Sequence, residues 1–390
     1  MSIVKRFSII CLAVTLAGCE TFGGWFDDEE VDTTAPVELQ KITEKVRIKS
    51  RWSTSVGNGQ GDGFYHINPL LADGVLYAAS ADGVVKAVNA DNGKERWEVE
   101  LEKPLSGGIS KYGDALYLGG ADGLVLKLDA NDGSQIWEVP VSGEVLAAPQ
   151  SNGALVVVQT YDGHLLGLSD VDGASRWNYT SDVPVLTLRG TSTPIIIDDM
   201  AVAGFADGRV VAIDLAGGNI RWEVRVAIPE GRSEIEQIVD IDGTMARQGD
   251  DLYVASYHGR LAAIDVRSGR RTWQRNVNSF SGVSVGFGNV YVSDEDGTVS
   301  AYLRNGQGLR WQNIELGYRE LSRPTPVSSY VAMVDFEGYL HLMSQVDGVI
   351  VGRTRTDSDG ARADLIASGN RLYVFGNSGD LIAYDLESRE

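Results

Sequence analysis

Residues 116–141 read LYLGGADGLVLKLDANDGSQIWEVPV, and this stretch decides the fold of the chain. Apolar residues alternate with other residues along GLVLKLDA, which is the two-residue period of a β-strand. The Asp-Gly pairs between such runs suit tight hairpin turns, because glycine readily adopts the positive φ that these turns need. The stretch therefore predicts three antiparallel strands, and Trp137 lies in the last of them.

The same pattern recurs along the chain at intervals of 38 to 51 residues. A unit of this length with four short strands is typical of one blade of a β-propeller. The glycine of the first turn marks eight such units: Gly83, Gly123, Gly163, Gly208, Gly259, Gly297, Gly338 and Gly379. We therefore predict an all-β fold, an eight-bladed β-propeller of four-stranded antiparallel blades.

The last unit stops just before its tryptophan strand, and the missing strand is found near the N-terminus. KSRWSTSV (49–56) matches KERWEVEL (94–101) of the first complete unit. The N-terminal strand is therefore predicted to complete the last blade and to close the ring, so that residues 46–390 form one propeller domain. Seven units contain the tryptophan, which a repeated packing role explains better than a ligand platform, and the seventh blade has Gly352 there.

The N-terminus carries an export signal. Two basic residues precede the apolar run FSIICLAVTL (7–16), which is too short to span a bilayer, so residues 1–18 are predicted to be a signal peptide. LAGC (16–19) resembles the lipobox of bacterial lipoproteins, which implies cleavage before Cys19 and acylation of its thiol. By the same resemblance, Glu20 in place of Asp suggests the outer membrane, facing the periplasm. Residues 19–45 are acidic and are predicted to be a flexible tether.

The composition and motifs argue against several functions. The formal net charge of −20 argues against a nucleic-acid partner. GVSVG (282–286) matches the nucleophile motif G-x-S-x-G, but that motif needs a helix after the turn, and Ser284 is predicted to lie in the innermost strand of a blade. The four histidines fall in different blades without the spacing of metal ligands. We predict no catalytic residue, no cofactor and no metal site.

The repeat core ADGRVVAIDLAGGNIRW (206–222) resembles the quinoprotein (PQQ-type) propeller repeat, and HGRLAAIDVRSGRRTW (258–273) does so too. One function that this resemblance implies is that of a quinone-cofactor periplasmic dehydrogenase. Those enzymes are longer, and they typically place vicinal cysteines beside the cofactor together with a calcium site. This chain has two cysteines, Cys11 and Cys19, which are not adjacent.

The signal, the lipobox, the acidic segment and the eight repeats together resemble the propeller lipoproteins of the outer-membrane β-barrel assembly (BAM) machinery. The resemblance covers essentially the whole chain. It implies a non-enzymatic scaffold that binds the periplasmic POTRA region of BamA, and through it the other BAM subunits, and that assists the insertion of β-barrel proteins. Direct binding of unfolded outer-membrane proteins at blade edges stays open as an alternative.

Two connections between blades are longer than the others: SDVPVLTLRGTSTP (181–194) and AIPEGRSEIEQIVDIDGTMARQGD (227–250). Tolerance of loop length would explain them, but surface loops often carry function, and consecutive connections should lie side by side on one face of the ring. Apolar side chains beside an arginine and carboxylates suit an interface hot spot. The resemblance matches the same positions to a BamA-binding surface. We predict that Leu186, Leu188 and Arg189 make the main contact, with Asp240 and Asp242 orienting Arg189 or pairing with cations of the partner.

Overall fold

The computed structural model describes residues 34–389. The chain divides into two compact units, Met1–Ala35 and Pro36–Glu390, and every strand among the described residues lies in the second. The predicted signal peptide, Cys19 and the first part of the predicted tether lie outside the described residues. Within residues 34–389 there is no helix long and apolar enough to cross a membrane.

Eight four-stranded antiparallel sheets form the eight blades, and seven of them use strands that are consecutive in the chain. The first strands of neighbouring blades contact one another, which places them innermost in the ring. The strands of the first four blades, from inner to outer, are β2 (Leu70–Ala72), β3 (Val75–Ala79), β4 (Val84–Asn89) and β5 (Glu95–Glu100); β6 (Ser110–Tyr112), β7 (Ala115–Gly120), β8 (Leu124–Asp129) and β9 (Gln135–Pro140); β10 (Gln150–Ser151), β11 (Leu155–Gln159), β12 (His164–Ser169) and β13 (Ser175–Thr180); and β14 (Ile195–Ile197), β15 (Met200–Gly204), β16 (Arg209–Asp214) and β17 (Ile220–Arg225).

The remaining blades continue the same order, and the last one ends on the N-terminal strand. Their strands are β18 (Ala246–Gln248), β19 (Asp251–Ala255), β20 (Gly259–Asp265) and β21 (Arg271–Val277); β22 (Val283–Gly286), β23 (Asn289–Ser293), β24 (Val299–Leu303) and β25 (Leu309–Asn313); β26 (Thr325–Val327), β27 (Tyr330–Val334), β28 (Tyr339–Ser344) and β29 (Ile350–Arg355); and β30 (Ile366–Ser368), β31 (Arg371–Phe375), β32 (Asp380–Ser388) and β1 (Val46–Ser55).

The ring closes as the sequence predicts. β1 pairs antiparallel with β32 over its whole length, from Val46 opposite Ser388 to Ser55 opposite Asp380. The outermost strand of blade eight therefore comes from the other end of the chain. Because this ladder joins the two ends of the domain, no blade at the closure point is left with only three strands.

The hydrophobic core consists of eight clusters, each of which lies at a junction between two neighbouring blades. The repeated tryptophans occupy these junctions, which confirms the predicted packing role. Each indole N–H donates to a main-chain carbonyl of the following blade over 2.8–3.1 Å, so the large apolar ring is buried or half-buried while its polar atom is satisfied. The seven residues are Trp52, Trp97, Trp137, Trp177, Trp222, Trp273 and Trp311.

Blade seven has Gly352 instead, and the reason is the path of the N-terminal chain. A Cβ atom at Gly352 would lie 3.0 Å from the carbonyl oxygen of Val46, so the chain entering β1 occupies the space beside it. Residues 37–45 are also packed on the propeller: Val37 and Lys45 make main-chain hydrogen bonds to Gly317 and Val351. The prediction of a flexible tether up to residue 45 is therefore wrong for this part, because its apolar side chains and main chain find partners on blades six and seven.

The blades give the ring two distinct faces. One, which we call the loop face, carries the connections between blades and the hairpins between the second and third strands of each blade. The other, the turn face, carries the remaining hairpins, such as Ala90–Lys94 and Asp198–Asp199. Both long connections of the sequence therefore belong to the loop face, as predicted.

Candidate partner-binding site

The two long connections contact each other directly on the loop face. The main-chain N–H of Leu188 donates to Oδ2 of Asp240 over 2.5 Å. Two residues further along both connections, Asp242 lies so close to Gly190 that a Cβ atom there would be 2.8 Å from the Cβ of Asp242. The predicted side-by-side arrangement is therefore present, and it joins Leu188 to Asp240 and Gly190 to Asp242.

Arg189 is held by a different partner from the one predicted. Its guanidinium forms two hydrogen bonds to the carboxylate of Glu144, over 2.9 and 2.8 Å, and its Nε donates to the carbonyl of Gly63 over 2.8 Å. The rings of Tyr65 and Tyr161 lie 5.5 and 6.0 Å from the guanidinium carbon. Both bonds to Glu144 come from Nη2, and this ion pair, the bond from Nε and the flanking aromatic rings together set the direction of the side chain.

The prediction that Asp240 or Asp242 orients Arg189 is therefore wrong. Asp240 uses its Oδ2 for the main chain of Leu188, and Arg189 extends towards Glu144 in the connection between blades two and three. That connection has ordinary length and no unusual composition, so the sequence held no signal for Glu144. Tyr65, in the connection before β2, and Tyr161, in the hairpin between β11 and β12, were missed because no motif marks either of them.

The apolar part of the surface is larger than the LTLRG segment indicates. Leu186 is exposed and Leu188 is half-buried, which leaves both available at the rim of the loop. Val185 has 92% of its surface exposed, and Ile235 in the second connection has 63%. Several large apolar side chains on one polar face are typical of a protein–protein contact surface. Sequence reasoning overlooked Val185 because it stands outside the leucine spacing of the segment.

Both aspartates have raised pKa values; Asp240 is buried, and Asp242 is half-buried with one buried carboxylate oxygen. Burial, together with the charge of Asp207, raises the pKa of Asp240 to about 7, although the hydrogen bond from Leu188 acts in the opposite direction. Burial and then the charge of Asp240 raise the pKa of Asp242 well above its usual range. Two carboxyl groups with raised pKa values in one cleft favour the approach of a positive charge, which would stabilise their ionised forms.

Three buried oxygen atoms at this place have no hydrogen-bond partner among residues 34–389: Oδ1 of Asp240, Oδ2 of Asp242 and Oγ1 of Thr191. A cavity of about 20 Å³ lies beside Thr191 and Asp242, and it is also lined by Thr187 and Gly190. That is room for roughly one water molecule. The site can therefore accept hydrogen bonds from a donor that a partner supplies, because buried acceptors without donors are costly to leave unsatisfied.

Ser284 lies where the sequence places it. It belongs to β22, the innermost strand of blade six, is 3% exposed and donates to the carbonyl of Pro324. A second strand, β23, follows the turn, so the strand–turn–helix context of a nucleophile elbow is not formed. In the part of the chain that the structure describes, no three His, Cys, Asp or Glu residues come together to hold a metal ion.

Comparison with known proteins agrees with this architecture. The family model described as "Outer membrane protein assembly factor BamB" matches residues 81–313. The BamB of Pseudomonas aeruginosa is 53% identical over 382 residues, which cover 98% of this chain and 99% of that protein. The crystal structure of BamB from Moraxella catarrhalis superposes with a TM-score of 0.79 at 30% identity, covering 87% of this chain and all of the other.

A europium-containing methanol dehydrogenase also superposes, with a TM-score of 0.70 over 89% of this chain and 95% of that chain. At 13% identity this likeness shows the fold alone. Fold and repeats together define the class of the protein: an eight-bladed propeller built from PQQ-like repeats. Within that class, the chain belongs to the family of outer membrane protein assembly factor BamB.

Proposed function

We propose that the protein is a non-enzymatic scaffold of the BAM machinery, which binds the periplasmic POTRA region of BamA and assists insertion of β-barrel proteins. Family membership supports the assembly role, because the relatives are named outer membrane protein assembly factors. The observation that supports this location of the binding site is the contact between the two long connections, where the main-chain N–H of Leu188 donates to Asp240. The quinone-dependent dehydrogenase alternative has only the shared fold in its favour.

Each part of the proposed site has a separate task. Leu186 and Leu188 supply apolar contact area, and Arg189 is presented in one orientation by Glu144. A side chain that is already ordered loses little conformational entropy when it binds. Asp240 and Asp242 offer the unsatisfied oxygens to a cationic group of BamA. This combination of apolar anchors, an ordered arginine and desolvated acids has the composition of an interface hot spot.

The test is capture of the POTRA region by purified protein. We expect the triple variant Leu186→Ala, Leu188→Ala, Arg189→Ala to bind at least 30-fold more weakly, which corresponds to about 2 kcal/mol for hot-spot truncation. The matched control removes three exposed apolar side chains from the turn face, Val171, Phe287 and Val346. Equal affinity of the triple variant and the wild type would refute this placement of the site.

We also propose that the protein is held at the periplasmic face of the outer membrane by lipid on Cys19. The lipobox LAGC (16–19) supports this anchor. Stable membrane attachment needs more than one acyl chain, which a lipoprotein cysteine carries. Labelled palmitate should enter the wild type and not Cys19→Ser, which should fractionate as a folded protein outside the membrane. Equal labelling of the two proteins would contradict the anchor.

A further inference from the structure

Residues 36–45, which we call the strap, cross the outer surface of blades six and seven. At one end the N–H of Val37 donates to the carbonyl of Gly317 over 2.9 Å, and at the other the N–H of Lys45 donates to Val351 over 2.8 Å. Between these ends, Leu39 and Ile42 pack on the core between the two blades. The strap is therefore docked by both main-chain and apolar contacts.

Two arginines of the propeller hold carbonyl groups of the strap. One guanidinium nitrogen of Arg319 donates to Val37 over 3.0 Å, and one of Arg353 donates to Gln40 over 2.8 Å. Because the bonds go to the main chain, they fix the path of the strap and are independent of its side chains. Each arginine thus acts as a clamp on an extended segment.

Both clamps are themselves fixed inside blade seven. Nε of Arg319 donates to Asp335 over 2.7 Å, and Nε of Arg353 donates to Nδ1 of His341 over 3.1 Å. The other ring nitrogen of His341 lies 2.9 Å from Asp335, and both of these side chains are fully buried. Since arginine can only donate, Nδ1 of His341 is the acceptor and its Nε2 carries the hydrogen. The receptor for the strap is therefore rigid, whereas the strap is mostly exposed.

The strap runs from one face of the ring to the other. Gly317 and Arg319 belong to the connection from blade six to blade seven, so Val37 lies at the loop face. Val46 pairs with Ser388, at the end of β32 that lies on the turn face. With the strap docked, Val37 attaches the chain to the propeller at the loop face. With the strap released, the attachment would begin at Val46 on the turn face, and ten more residues, up to about 35 Å of extended chain, would be free.

We propose that the docked strap attaches the membrane tether to the propeller. It places the point of attachment on the loop face, the face that carries the two long connections. Strap and proposed partner surface are then on the same face, and release of the strap would move the first point of attachment to the turn face. The proposal rests on the proposed lipid anchor for its biological meaning, but docking of the strap does not require the lipid. A segment with few main-chain hydrogen bonds and high exposure opens at a lower free energy than the blades do. The strap can therefore detach while the blades stay folded.

Docking can be tested by disulfide trapping. Val37 and Gly317 are in contact, since a Cβ atom at Gly317 would lie 3.0 Å from the side chain of Val37. In the full chain, the pair Val37→Cys and Gly317→Cys should therefore close a disulfide in most molecules on mild oxidation. The matched control pairs Val37→Cys with Gly308→Cys, which lies in open space near the turn-face end of blade six. Equal yields for the two pairs would overturn the proposal.

Release can be tested with Leu39→Asp and Ile42→Asp together, which leave β1 and the blades intact. We expect this variant to reduce the trapping yield at least tenfold and to bind isolated POTRA region like the wild type, while capture of BamA from membranes falls.

The control variant, Gln40→Asp with Thr43→Asp, adds the same charge at exposed positions and should behave like the wild type. Unchanged trapping in the release variant, or capture from membranes unaffected by release, would overturn the proposal. Repeating the trapping in Cys19→Ser separates a failure of the anchor from a failure of the strap.

Discussion

Asp335 and Asp240 are two aspartates of the loop face that have the same exposure, 1%, and opposite surroundings. Oδ2 of Asp335 accepts bonds from Arg319 and His341, and its Oδ1 accepts two main-chain N–H groups. Oδ2 of Asp240 accepts only the N–H of Leu188, and its Oδ1 has no partner within residues 34–389. The fold supplies hydrogen-bond donors to both oxygens of Asp335, but to one oxygen of Asp240.

The pKa values of the two groups separate accordingly. Burial raises the pKa of both groups, but around Asp335 the hydrogen bonds from His341, Tyr339 and Arg319 outweigh it and lower the pKa. Asp240 has one opposing bond, so burial raises its pKa to about 7. The difference teaches that burial alone does not distinguish a carboxylate that stabilises the fold from one that is available to a partner. The number of hydrogen-bond donors around the carboxylate does distinguish them.

The comparison predicts unequal costs of the same substitution. Asp335→Asn should lower the free energy of unfolding by about 3–5 kcal/mol, because it removes the buried charge that pairs with Arg319, whose other ion-pair partner, Glu337, is half exposed. Asp240→Asn should leave that free energy unchanged or raise it at pH 8, because the amide still accepts from Leu188 and a desolvated charge is removed. Denaturant unfolding of both variants measures this. Similar losses in the two proteins would show that the comparison is wrong.

The pH dependence of stability should carry the signature of Asp240. Its folded-state pKa lies above that of the unfolded chain, so between the two values the folded protein holds a proton that the unfolded chain has lost. Stability from this group is therefore present at acidic pH and is lost as pH rises to about 7. The wild type should lose about 2–3 kcal/mol more than Asp240→Asn between pH 5 and pH 8. Parallel curves for the two proteins would contradict the raised pKa.

Binding to the POTRA region should depend on pH in the opposite direction. A cation of the partner favours ionised Asp240, so binding displaces a proton when the free group is protonated. With a free pKa of about 7, we expect roughly tenfold weaker binding at pH 6 than at pH 8. Titration calorimetry measures the affinity at both values. Asp240→Asn should bind more weakly and without this dependence, and a wild-type affinity that is constant with pH would argue against a cationic contact.

The smallest effect concerns the support of Arg189. Glu144→Gln removes one charge from a pair whose arginine is 41% exposed, so the free energy of unfolding should change by less than about 1 kcal/mol. Affinity for the POTRA region should fall several-fold, because Arg189 is no longer held in one direction. Surface plasmon resonance would compare this variant with Arg189→Ala. An equal loss in both would mean that Glu144 contacts the partner itself.

The architecture could be predicted from the sequence because its determinants are local and repeated. Strand alternation and Asp-Gly turns are set by residues within a few positions of each other. Each repeated tryptophan packs in the same way between its blade and the next. The closure by β1 followed from matching KSRWSTSV to a complete unit, and the pairing of Val46 with Ser388 confirms it. The adjacency of the long connections followed from the blade order alone.

The contacts within the candidate site could not be predicted from the sequence. The direction of Arg189 depends on Glu144 and Gly63, which lie 45 and 126 positions away in connections without any motif. The strap looked like free chain because residues 36–45 have no strand pattern of their own. Its order comes from Arg319 and Arg353, about 280 and 310 positions further along the chain.

By itself the sequence determined the eight blades, the closed ring, the tryptophan junctions and the loops that carry the candidate site, because periodicity and turn chemistry act over short distances. Only the tertiary structure decided which acid holds Arg189, why blade seven has Gly352, where the strap crosses the ring and which buried aspartate lacks donors. Those features arise where segments that are far apart in the chain meet. There, side-chain direction and the count of hydrogen-bond donors depend on packing, and no local pattern encodes them.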